Sequence, residues 1–349
     1  MRLSPVYENR IKSVFKNKTL VLKACIFLFG FIVGFSLCKF TIDHGYTIKS
    51  IRVPDPEYKL ISPLVIADVA GPGSGSAKSI EEKLKLKTYD LLNVPGMKNI
   101  SIYYRDLNSG IWAGVGENME YNPASLLKVP VLIAWYKQIQ EKPELSKKEI
   151  YYKGNTANSK DIQFNTLQPN TSYTIEYLLE RMIKNSDNVA KDLLLENLDP
   201  KTINTVFTDL GIQTWGDKPG SSIHISANTY SRFLRILYNA NYLDHEYSQK
   251  ALELLGSSNF NEGIIAGIPS GIFVSHKFGQ FQDESPNIDI TELHDCGIVY
   301  IPSHPYLLCV MTRATSSTDL GVLELVIKTV SETAYKISTE DIPDLIKNK

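Results

Sequence analysis

The sequence has few of the features that would assign it to several common protein classes. Its 349 residues include only 4 cysteines and no CxxC motif, so neither a disulfide framework nor a zinc finger is expected. Lys and Arg total 37 against 38 Asp and Glu, for a net charge of -1, and the basic residues cluster only at the N-terminus. Because nucleic-acid binding requires positive charge along a phosphate backbone, we expect no nucleic-acid partner. The chain also has no internal repeat and no low-complexity segment.

The four cysteines all lie in apolar runs. Cys25 and Cys38 belong to an N-terminal apolar segment, whereas Cys296 and Cys309 lie in two runs typical of neighbouring strands. We interpret the last two as buried apolar side chains rather than as a disulfide or a metal pair, because no CxxC motif or histidine cluster accompanies them. The sequence therefore predicts neither a metal ion nor another cofactor.

The N-terminus carries the longest hydrophobic run. Residues 1–19 form a basic tail, and residues 20–40 have the sequence LVLKACIFLFGFIVGFSLCKF. About 20 mostly apolar residues suffice to cross a bilayer, and flanking basic residues favour the cytoplasmic side. We predict a single-pass membrane anchor at 20–40, with the N-terminus in the cytoplasm and everything after the anchor outside it. A cleaved signal peptide is the alternative, which the length of the apolar run disfavours.

Hydrophobic spacing predicts a mixed α and β domain after this segment. Residues 41–79 contain VAGPGSGSAKS, whose Gly and Ser content disfavours packed structure, so we predict an extracytoplasmic tether there. We predict one domain at 80–336, a C-terminal tail at 337–349, and a monomer. The periodicity predicts helices at 79–92, 173–198, 226–243 and 320–335, a hairpin at 101–116, and strands at 271–280, 296–302 and 305–313. Strands at both ends of the domain indicate an α+β fold, in which one antiparallel sheet is flanked by helices and receives an inserted helical lobe.

The stretch NPASLLKVPV places Ser125 one helical turn before Lys128. Residues three apart lie on the same face of a helix. A serine hydroxyl needs a base in order to attack a carbonyl, and a lysine can be that base only when burial or nearby positive charge lowers its pKa. The apolar neighbours of Lys128 predict such burial. An isolated SxxK pattern is also common on solvated helix faces, so it does not assign a function by itself.

Two further motifs follow along the chain. Ser186-Asp187-Asn188 lies in a helical region, and HKFG, residues 276–279, lies at the end of a predicted strand. In this order the three motifs resemble the SxxK, SDN and KTG motifs of the penicillin-recognising serine hydrolases, above all the class A β-lactamases. The resemblance covers about residues 80–335 and implies a β-lactamase-like fold for the predicted α+β domain.

The resemblance implies a catalytic role for three of these residues. Ser125 is the expected nucleophile, which becomes acylated, and Lys128 is the expected base for that step. Ser186 is expected to pass a proton to the leaving nitrogen. Asp187 is expected to be structural and to hold its loop through hydrogen bonds.

The resemblance also implies a set of substrate-binding residues. Asn188 is expected to bind the amide of a substrate side chain, and Lys277 to contribute positive charge to Ser186 and to a substrate carboxylate. The backbone N–H of Gln280 is expected to form an oxyanion hole with that of Ser125. Gly279, just before Gln280, belongs to the same expected substrate-binding strand.

The sequence departs from the class A pattern where the acyl-enzyme is hydrolysed. Class A enzymes use a glutamate on a loop between the second and third motifs to activate water. The corresponding stretch here, IQTWGDKPGSSIHIS at 212–226, contains no glutamate. Its one carboxylate, Asp217, follows a glycine, so we interpret it first as a turn residue and second as a base. We therefore expect slow hydrolysis of the acyl-enzyme, or transfer of the acyl group to another acceptor.

The second departure is Phe278, which stands where the family usually has a threonine that helps to bind a substrate carboxylate. A phenyl ring cannot donate that hydrogen bond. Either Lys277 holds the carboxylate together with another cation, for which Arg313 is a candidate, or the preferred substrate differs.

Three polar residues near the third motif are open to another interpretation. His276, His294 and Asp295 combine imidazole with carboxylate, which can indicate a metal site or a catalytic triad. Lys128 already supplies a base, so we favour a structural explanation. A capping or interstrand hydrogen bond at the start of a strand accounts for His294 and Asp295.

Three functions are consistent with these observations. The first is a membrane-anchored β-lactamase-like serine hydrolase that acts outside the cytoplasm on β-lactams or a related acyl donor. The second is a D,D-peptidase or another cell-wall peptide hydrolase or transpeptidase on the same scaffold, which the missing glutamate favours. The third is a catalytically idle domain that binds peptides, which the burial cost of two inward lysines disfavours.

Overall fold

The chain falls into two compact units, Met1–Thr47 with Val69–Ser74 and Ile48–Asp68 with Gly75–Lys349. The first unit contains helix α1 (Lys18–Asp43), whose side chains at 22–34 are exposed. Within the described ranges, no helix is both long enough and apolar enough to cross a bilayer, so the anchor at 20–40 stays a prediction from the sequence. The computed structural model describes residues 18–43, 50–52, 57–67, 75–154, 167–212, 223–285, 288–302 and 304–341.

The second unit combines strands and helices. Its strands are β1 (Ser50–Arg52), β2 (Leu64–Ala67), β3 (Met97–Asp106), β4 (Trp112–Val115), β5 (Glu120–Tyr121), β6 (Glu149–Tyr152), β7 (Thr171–Thr174), β8 (Ile225–Ser226), β9 (Val274–Ser285), β10 (Ile288–Val299) and β11 (Tyr306–Ala314). Its α-helices are α2 (Gly75–Leu92), α3 (Lys128–Glu141), α4 (Ile175–Lys184), α5 (Asn188–Asn197), α6 (Pro200–Asp209), α7 (Ala227–Tyr238), α8 (His245–Leu255) and α9 (Leu320–Lys336). Short 3-10 helices lie at Ala124–Leu127, Pro143–Lys147 and Ile265–Gly267, and a π-helix at Ile337–Asp341.

Five of these strands form one antiparallel sheet in the order β4-β3-β11-β10-β9. Two of them precede the helices α3–α8 in the chain and three follow them. The predicted α+β fold, with one sheet assembled from both ends of the domain and a helical lobe inserted, is therefore confirmed. Strands β9 and β10 are longer than predicted and pair antiparallel along their whole length.

Both faces of this sheet are buried, because side chains on a strand alternate between faces. On β11, Leu307, Cys309 and Met311 pack in a core with helices α3–α8. Leu308 and Val310 pack in a second core with helices α2 and α9. The sheet thus separates the helical lobe from the two terminal helices, and the end of the lobe that contacts β9 is the place where the three motifs can meet.

The prediction of one continuous helix at 173–198 is wrong, because the structure has two helices there. Thr174 caps α4 by accepting a hydrogen bond from the N–H of Tyr177, and Asp187 caps α5 by accepting one from the N–H of Ala190. Between the two helices the chain turns through Ser186, whose φ is +54°. Because an aspartate at an N-cap begins a new helix, the single periodic segment in the sequence corresponds to two helices joined by a turn.

Part of the predicted tether is packed against the domain. The N–H of Leu60 donates to the side-chain oxygen of Gln249 at 2.8 Å, and the N–H of Ser62 donates to the carbonyl of Tyr238 at 2.8 Å. These contacts, together with the pairing of β1 with β2, show that the described residues between 50 and 67 are not a free tether. The sequence analysis missed this packing because it relied on periodic apolar side chains, which backbone hydrogen bonds do not require.

The interpretation of Cys296 and Cys309 as unlinked side chains is also wrong. They occupy directly opposite positions on β10 and β11, and their sulfur atoms are joined in a disulfide. Strand register decides which residues lie opposite one another, and the sequence alone does not give that register. Both cysteines are nevertheless fully buried, as expected.

Candidate active site

Ser125 lies on a short, strained turn rather than in an α-helix. The 3-10 helix Ala124–Leu127 precedes α3, and Ala124 adopts a φ of +46°, which is unusual for any residue other than glycine. The turn is held in place because the N–H of Leu126 donates to the carbonyl of Pro123, and the side-chain oxygen of Asn122 accepts from the N–H of Ala124. These hydrogen bonds fix the position from which the hydroxyl of Ser125 projects.

Lys128 is buried beside that hydroxyl. It is only 1 % exposed, and its Nζ lies 3.0 Å from Ser125 Oγ. The same nitrogen lies 3.0 Å from Ser186 Oγ and 2.7 Å from Asn188 Oδ1. The structure therefore brings the first two predicted motifs together around a single amine.

The surroundings of Lys128 favour its neutral form. Burial, followed by the positive charges of Lys277 and Lys191, holds the pKa of Lys128 well below its usual 10.5. The carboxylates of Asp187 and Asp192 oppose this effect but do not overcome it. Because desolvation and like charges both disfavour an ammonium, this amine loses its proton more readily than a solvated lysine and can act as a base.

The second motif occupies the turn between α4 and α5. Ser186 is 2 % exposed, and its Oγ accepts hydrogen bonds from the Nζ of both Lys128 and Lys277. Asp187 is the N-cap of α5, so its expected structural role is consistent with the hydrogen bond that it accepts. Asn188 is the first residue of α5, which places its amide beside Lys128.

Lys277 reaches the same serine from strand β9. Its Nζ lies 3.0 Å from Ser186 Oγ, and the side chain is fully buried. Burial lowers the pKa of Lys277 to about 7, although the nearby carboxylate of Asp295 opposes this shift. The hydroxyl of Ser186 therefore lies between two amines that are both easily deprotonated.

Gly279 allows β9 to approach the turn that carries the nucleophile. A Cβ at this position would lie 2.7 Å from the carbonyl oxygen of Pro123 and 3.2 Å from the nitrogen of Leu126. Any side chain would push the strand away from the turn, so glycine is required by this close approach. Gln280 is the next residue of the strand, and its pairing with Ser125 as an oxyanion hole stays a prediction.

Residues Glu292 and His294 of β10, which the sequence analysis did not assign to the site, hold the segment before the nucleophile. Glu292 Oε2 accepts a hydrogen bond from the N–H of Asn122 at 3.0 Å, and His294 Nε2 donates to the carbonyl of Asn122 at 3.0 Å. We call these two residues the β10 clamp. Their spacing of two puts them on one face of a strand, which is the signal that could have indicated a joint role.

Arg313 of β11 holds one residue of the β10 clamp, Glu292, in place. Its Nε donates to Glu292 Oε1 at 2.5 Å, and its Nη2 donates to the carbonyl of Glu120. Burial alone would raise the pKa of Glu292, but hydrogen bonds and charges from His294 and Arg313 hold it below its usual value. Arg313 is therefore engaged with a buried carboxylate, and the structure does not place it as a ligand for a substrate carboxylate.

The remaining polar residues near the third motif are explained by hydrogen bonds. His276 Nδ1 and Asp295 Oδ1 lie 2.8 Å apart across β9 and β10, and Asp295 Oδ2 accepts from the N–H of Ile264. This interstrand contact supports the structural explanation for Asp295, whereas His294 bonds the carbonyl of Asn122 rather than a neighbouring strand, and both residues lie within β10 rather than at its start. Among the residues that the structure describes, no group of three or more His, Cys, Asp or Glu could hold a metal ion. Asp217 lies outside the described residues.

The fold and the Ser125–Lys128 pair together define a class of enzyme, the serine hydrolases of the penicillin-recognising type. The chain belongs to the beta-lactamase enzyme family, because the sequence model of that family matches residues 83–337. This range agrees with the 80–335 expected from the motifs. Comparison with curated protein sequences gave no match.

Solved structures of similar fold come from the same group. A class A β-lactamase from Mycobacterium abscessus superposes with a TM-score of 0.61 at 19% identity, covering 74% of this chain and 98% of that one. The extended-spectrum β-lactamase TLA-3 gives a TM-score of 0.64 at 15% identity, with coverage of 74% and 98%. PBP-A gives 0.59 at 19% identity, with coverage of 73% and 95%, and a PBP-A variant was solved as an acyl-enzyme complex with penicillin G. At these identities the likeness shows the shared fold.

Proposed function

We propose that this protein cleaves a β-lactam or a related cyclic or peptide amide through an acyl-enzyme formed on Ser125. Lys128 Nζ removes the proton of Ser125 Oγ as the oxygen attacks the carbonyl carbon. A C–O bond forms and the amide C–N bond breaks, which leaves the acyl group esterified to Ser125. The observation that carries this proposal is the 3.0 Å contact between Ser125 Oγ and an amine whose pKa is strongly lowered.

Ser186 is proposed to deliver the proton that the leaving nitrogen needs. Its Oγ is 3.0 Å from each of the two lysine nitrogens, on Lys128 and Lys277. The proton taken up by Lys128 can thus move to the Ser186 hydroxyl, while the hydroxyl proton moves to the nitrogen, so the number of protons balances. Lys277 is proposed to stabilise this exchange, because its Nζ donates to the same hydroxyl.

Two further roles are proposed for residues around the carbonyl. Asn188, which shares the environment of Lys128, is proposed to bind the amide of the substrate side chain. The N–H groups of Ser125 and Gln280 are proposed to hold the oxyanion. Support comes from the contact of Gly279 with the turn that carries the nucleophile, because this contact brings β9 to the serine.

The acyl-enzyme is proposed to be long-lived. The sequence between 212 and 226 contains no glutamate, and Asp217 is its only carboxylate. Water then attacks the ester without a well-placed base, so hydrolysis is slower than acylation. This feature also favours the second candidate function, in which a D,D-peptidase or transpeptidase acts on a cell-wall peptide and passes the acyl group to another acceptor.

We also propose that the catalytic domain lies outside the cytoplasm, behind an anchor at 20–40. Support comes from the basic residues that precede this segment. The disulfide between Cys296 and Cys309 is a second support, because disulfides persist mainly in oxidising compartments. Fractionating cells that express the full chain, with detection before and after alkaline extraction, tests the location; recovery in the soluble cytoplasm contradicts it.

Intact-protein mass spectrometry tests the proposed chemistry. The full chain is incubated with a reporter penicillin, and the mass is followed over minutes to hours. We expect an added mass of one penicillin that maps to Ser125 and persists, because acylation outpaces hydrolysis. The matched control is Ser125→Ala, which leaves Lys128 in place and must show no adduct. Rapid turnover without an adduct would instead show an efficient β-lactamase, and an adduct elsewhere would contradict the assignment of the nucleophile.

A further inference from the structure

Three arginines from separate elements lie near one another, away from the nucleophile. They are Arg52 of β1, Arg105 of β3 and Arg235 of α7, and we call them the arginine cluster. Gly279, which contacts the turn of the nucleophile, is level with Ser101 of β3 through β10 and β11, and Arg105 lies four residues further along β3. The backbone of Arg105 is therefore about 13 Å along the strands and about 14 Å across them from Gly279. The cluster is thus separate from the residues assigned to catalysis.

Hydrogen bonds and strand geometry bring the three side chains together. Arg52 Nη1 donates to Asn239 Oδ1 at 3.0 Å, and the N–H of Asn239 donates to the carbonyl of Arg235 at 2.9 Å. Arg52 therefore contacts the end of the helix that carries Arg235. The side chain of Arg235 interacts with the phenol of Tyr103, which is on the same face of β3 as Arg105.

The positive charges of the cluster act on one another. Burial lowers the pKa of Arg52 below its usual 12.5, and the charges of Arg105 and Arg235 add to this shift. Tyr238 and Asp106 oppose it. Burial also lowers the pKa of Arg235, and the charge of Arg105 is the next cause. Because an arginine stays protonated in proteins, this repulsion is not relieved by loss of a proton.

The cluster has donors that the protein itself does not use. Within the ranges that the structure describes, none of the three arginines forms an ion pair, and Arg105 has no hydrogen-bond partner. The Nε of Arg52 is buried and also has no partner. The carboxylate of Asp106 instead accepts two hydrogen bonds from Ser109, each at 2.6 Å. All three arginines are partly buried, so water only partly solvates them, and an anion between them would stabilise the fold.

The chemistry of the cluster favours phosphate over a carboxylate. Each guanidinium presents a planar fork of N–H donors that pairs with two oxygens of an anion. Phosphate offers up to four oxygens in a tetrahedron and up to two negative charges, so it can pair with several forks at once. A carboxylate offers two oxygens in one plane and a single charge, so it leaves more of the donors unpaired.

We propose that the arginine cluster binds a phosphate group, supplied by free phosphate or by a lipid headgroup, and that this anion fastens β1 to the domain. Arg52 belongs to β1, whereas Arg105 belongs to the five-stranded sheet and Arg235 to the helical lobe. One bound anion therefore links all three parts. This second site does not depend on the acyl-enzyme chemistry, so each of the two proposals can fail without the other.

Binding of inorganic phosphate to the full chain in a non-ionic detergent tests the proposed site. Isothermal titration calorimetry compares phosphate with acetate at one ionic strength, so that screening by salt is equal. We expect phosphate to bind at least about tenfold more tightly, the range that one charge-assisted hydrogen bond controls. Absence of phosphate binding, or equal affinity for the two anions, would overturn the proposal.

Two variants with the same change in net charge locate the anion. Arg105→Gln removes one guanidinium without breaking a hydrogen bond, so the fold should persist and the affinity for phosphate should fall about tenfold or more. Lys147→Gln removes an exposed charge elsewhere and should keep the original affinity. Circular dichroism checks the fold of both variants. Unchanged affinity in Arg105→Gln, or an equal loss in both variants, would overturn the proposal.

Hydrogen exchange tests whether the anion fastens the segment that follows β1. The N–H groups of Leu60 and Ser62 donate to Gln249 and to the carbonyl of Tyr238, so their exchange reports the packing of this segment. Saturating phosphate should slow their exchange in the original chain but not in Arg105→Gln.

Vesicles distinguish the two sources of phosphate. The full chain is placed in phosphatidylcholine vesicles with or without phosphatidic acid, and no free phosphate is added. Slower exchange with phosphatidic acid supports a lipid headgroup as the ligand, and slower exchange only after addition of free phosphate supports a soluble one. Exchange that neither source slows would overturn the proposal.

Discussion

The Oγ of Ser186 contacts two buried lysine amines, and this arrangement influences the protonation of both lysines. Lys128 and Lys277 each lie 3.0 Å from its Oγ. The positive charge of Lys277 disfavours the protonated form of Lys128, in addition to the cost of burial. The two groups therefore titrate as a coupled pair, and the pH profile of acylation reports that pair rather than a single lysine.

The first residue-level prediction concerns the charge on Lys277. The positive charge of Lys277 helps to lower the pKa of Lys128, so Lys277→Gln should raise that pKa. Acylation requires neutral Lys128 and its rate rises as pH increases through the pKa, so the rising limb should move to higher pH. The measurement is the pH dependence of kcat/KM, or of the acylation rate constant, between pH 5 and 10.

The matched control for this prediction is Lys191→Gln. Lys191 makes a smaller contribution of the same sign and is partly exposed, so its removal should shift the limb in the same direction by less. A rising limb that stays in place, or that moves to lower pH in Lys277→Gln, would contradict the coupling of the two lysines.

At the scale of elements, the site depends on the contact between β9 and the 3-10 helix Ala124–Leu127. Gly279 permits that contact, and the β10 clamp holds the segment just before it. The strand, the turn and the clamp come from three separate parts of the chain. A change in any of them should therefore displace Ser125 relative to Gln280, whose N–H is the proposed partner of the Ser125 N–H in the oxyanion hole. Small displacements of the reacting atoms strongly reduce the reaction rate.

Replacing Gly279 with alanine tests this contact. The added Cβ would lie 2.7 Å from the carbonyl oxygen of Pro123, so β9 must move, and we expect the acylation rate to fall about 100-fold. The fold should persist, because the change is one methyl group at an edge strand. Gln282→Ala, an exposed position on the same strand, is the control and should acylate at the original rate; equal rates for both variants would contradict the role of the contact.

Replacing Glu292 with glutamine tests the β10 clamp. The substitution removes the negative charge that faces Arg313 in a buried place, so the free energy of unfolding should fall by about 3 kcal/mol. The acylation rate should fall as well, since the N–H of Asn122 loses a charged acceptor. Chemical denaturation and acylation kinetics measure the two effects, and a variant that loses neither stability nor rate would show that the clamp is dispensable.

The sequence predicted the elements better than their contacts. The sheet built from both ends and the helical lobe followed from apolar periodicity, and SxxK, SDN and HKFG identified the residues that meet in the structure. Strand register and side-chain pairing did not follow, because they depend on long-range geometry. This is why the disulfide and the role of Glu292 were missed, and why the pairing of Arg313 with Glu292 was not anticipated.

The whole catalytic unit is held by two cores, one on each face of the sheet. The disulfide between Cys296 and Cys309 joins β10 and β11 within the core that faces the helical lobe. Cys296 is also the direct partner of Lys277 in the register of β9 and β10. The link therefore restrains the part of the sheet that supports the site.

Removing this link should destabilise the molecule. The two cysteines are 13 residues apart in sequence, and closing a loop of that length contributes about 3 kcal/mol by restricting the unfolded chain. The double variant Cys296→Ala, Cys309→Ala should show a correspondingly lower denaturation midpoint. The original chain should lose a similar amount when unfolded in a reducing agent, to which the double variant is insensitive; equal midpoints with and without reductant would contradict the disulfide.

The central claim is that Lys128, beside the hydroxyl of Ser125, has a pKa lowered far enough by its surroundings for its amine to act as the base. The most direct measurement is the titration of its side chain by NMR, with lysine labelled at Cε and the resonance assigned from Lys128→Arg. The account predicts a midpoint well below 10.5, the usual value for lysine. A midpoint close to 10.5 would mean that Lys128 stays charged and cannot be the base, and the mechanism would be contradicted.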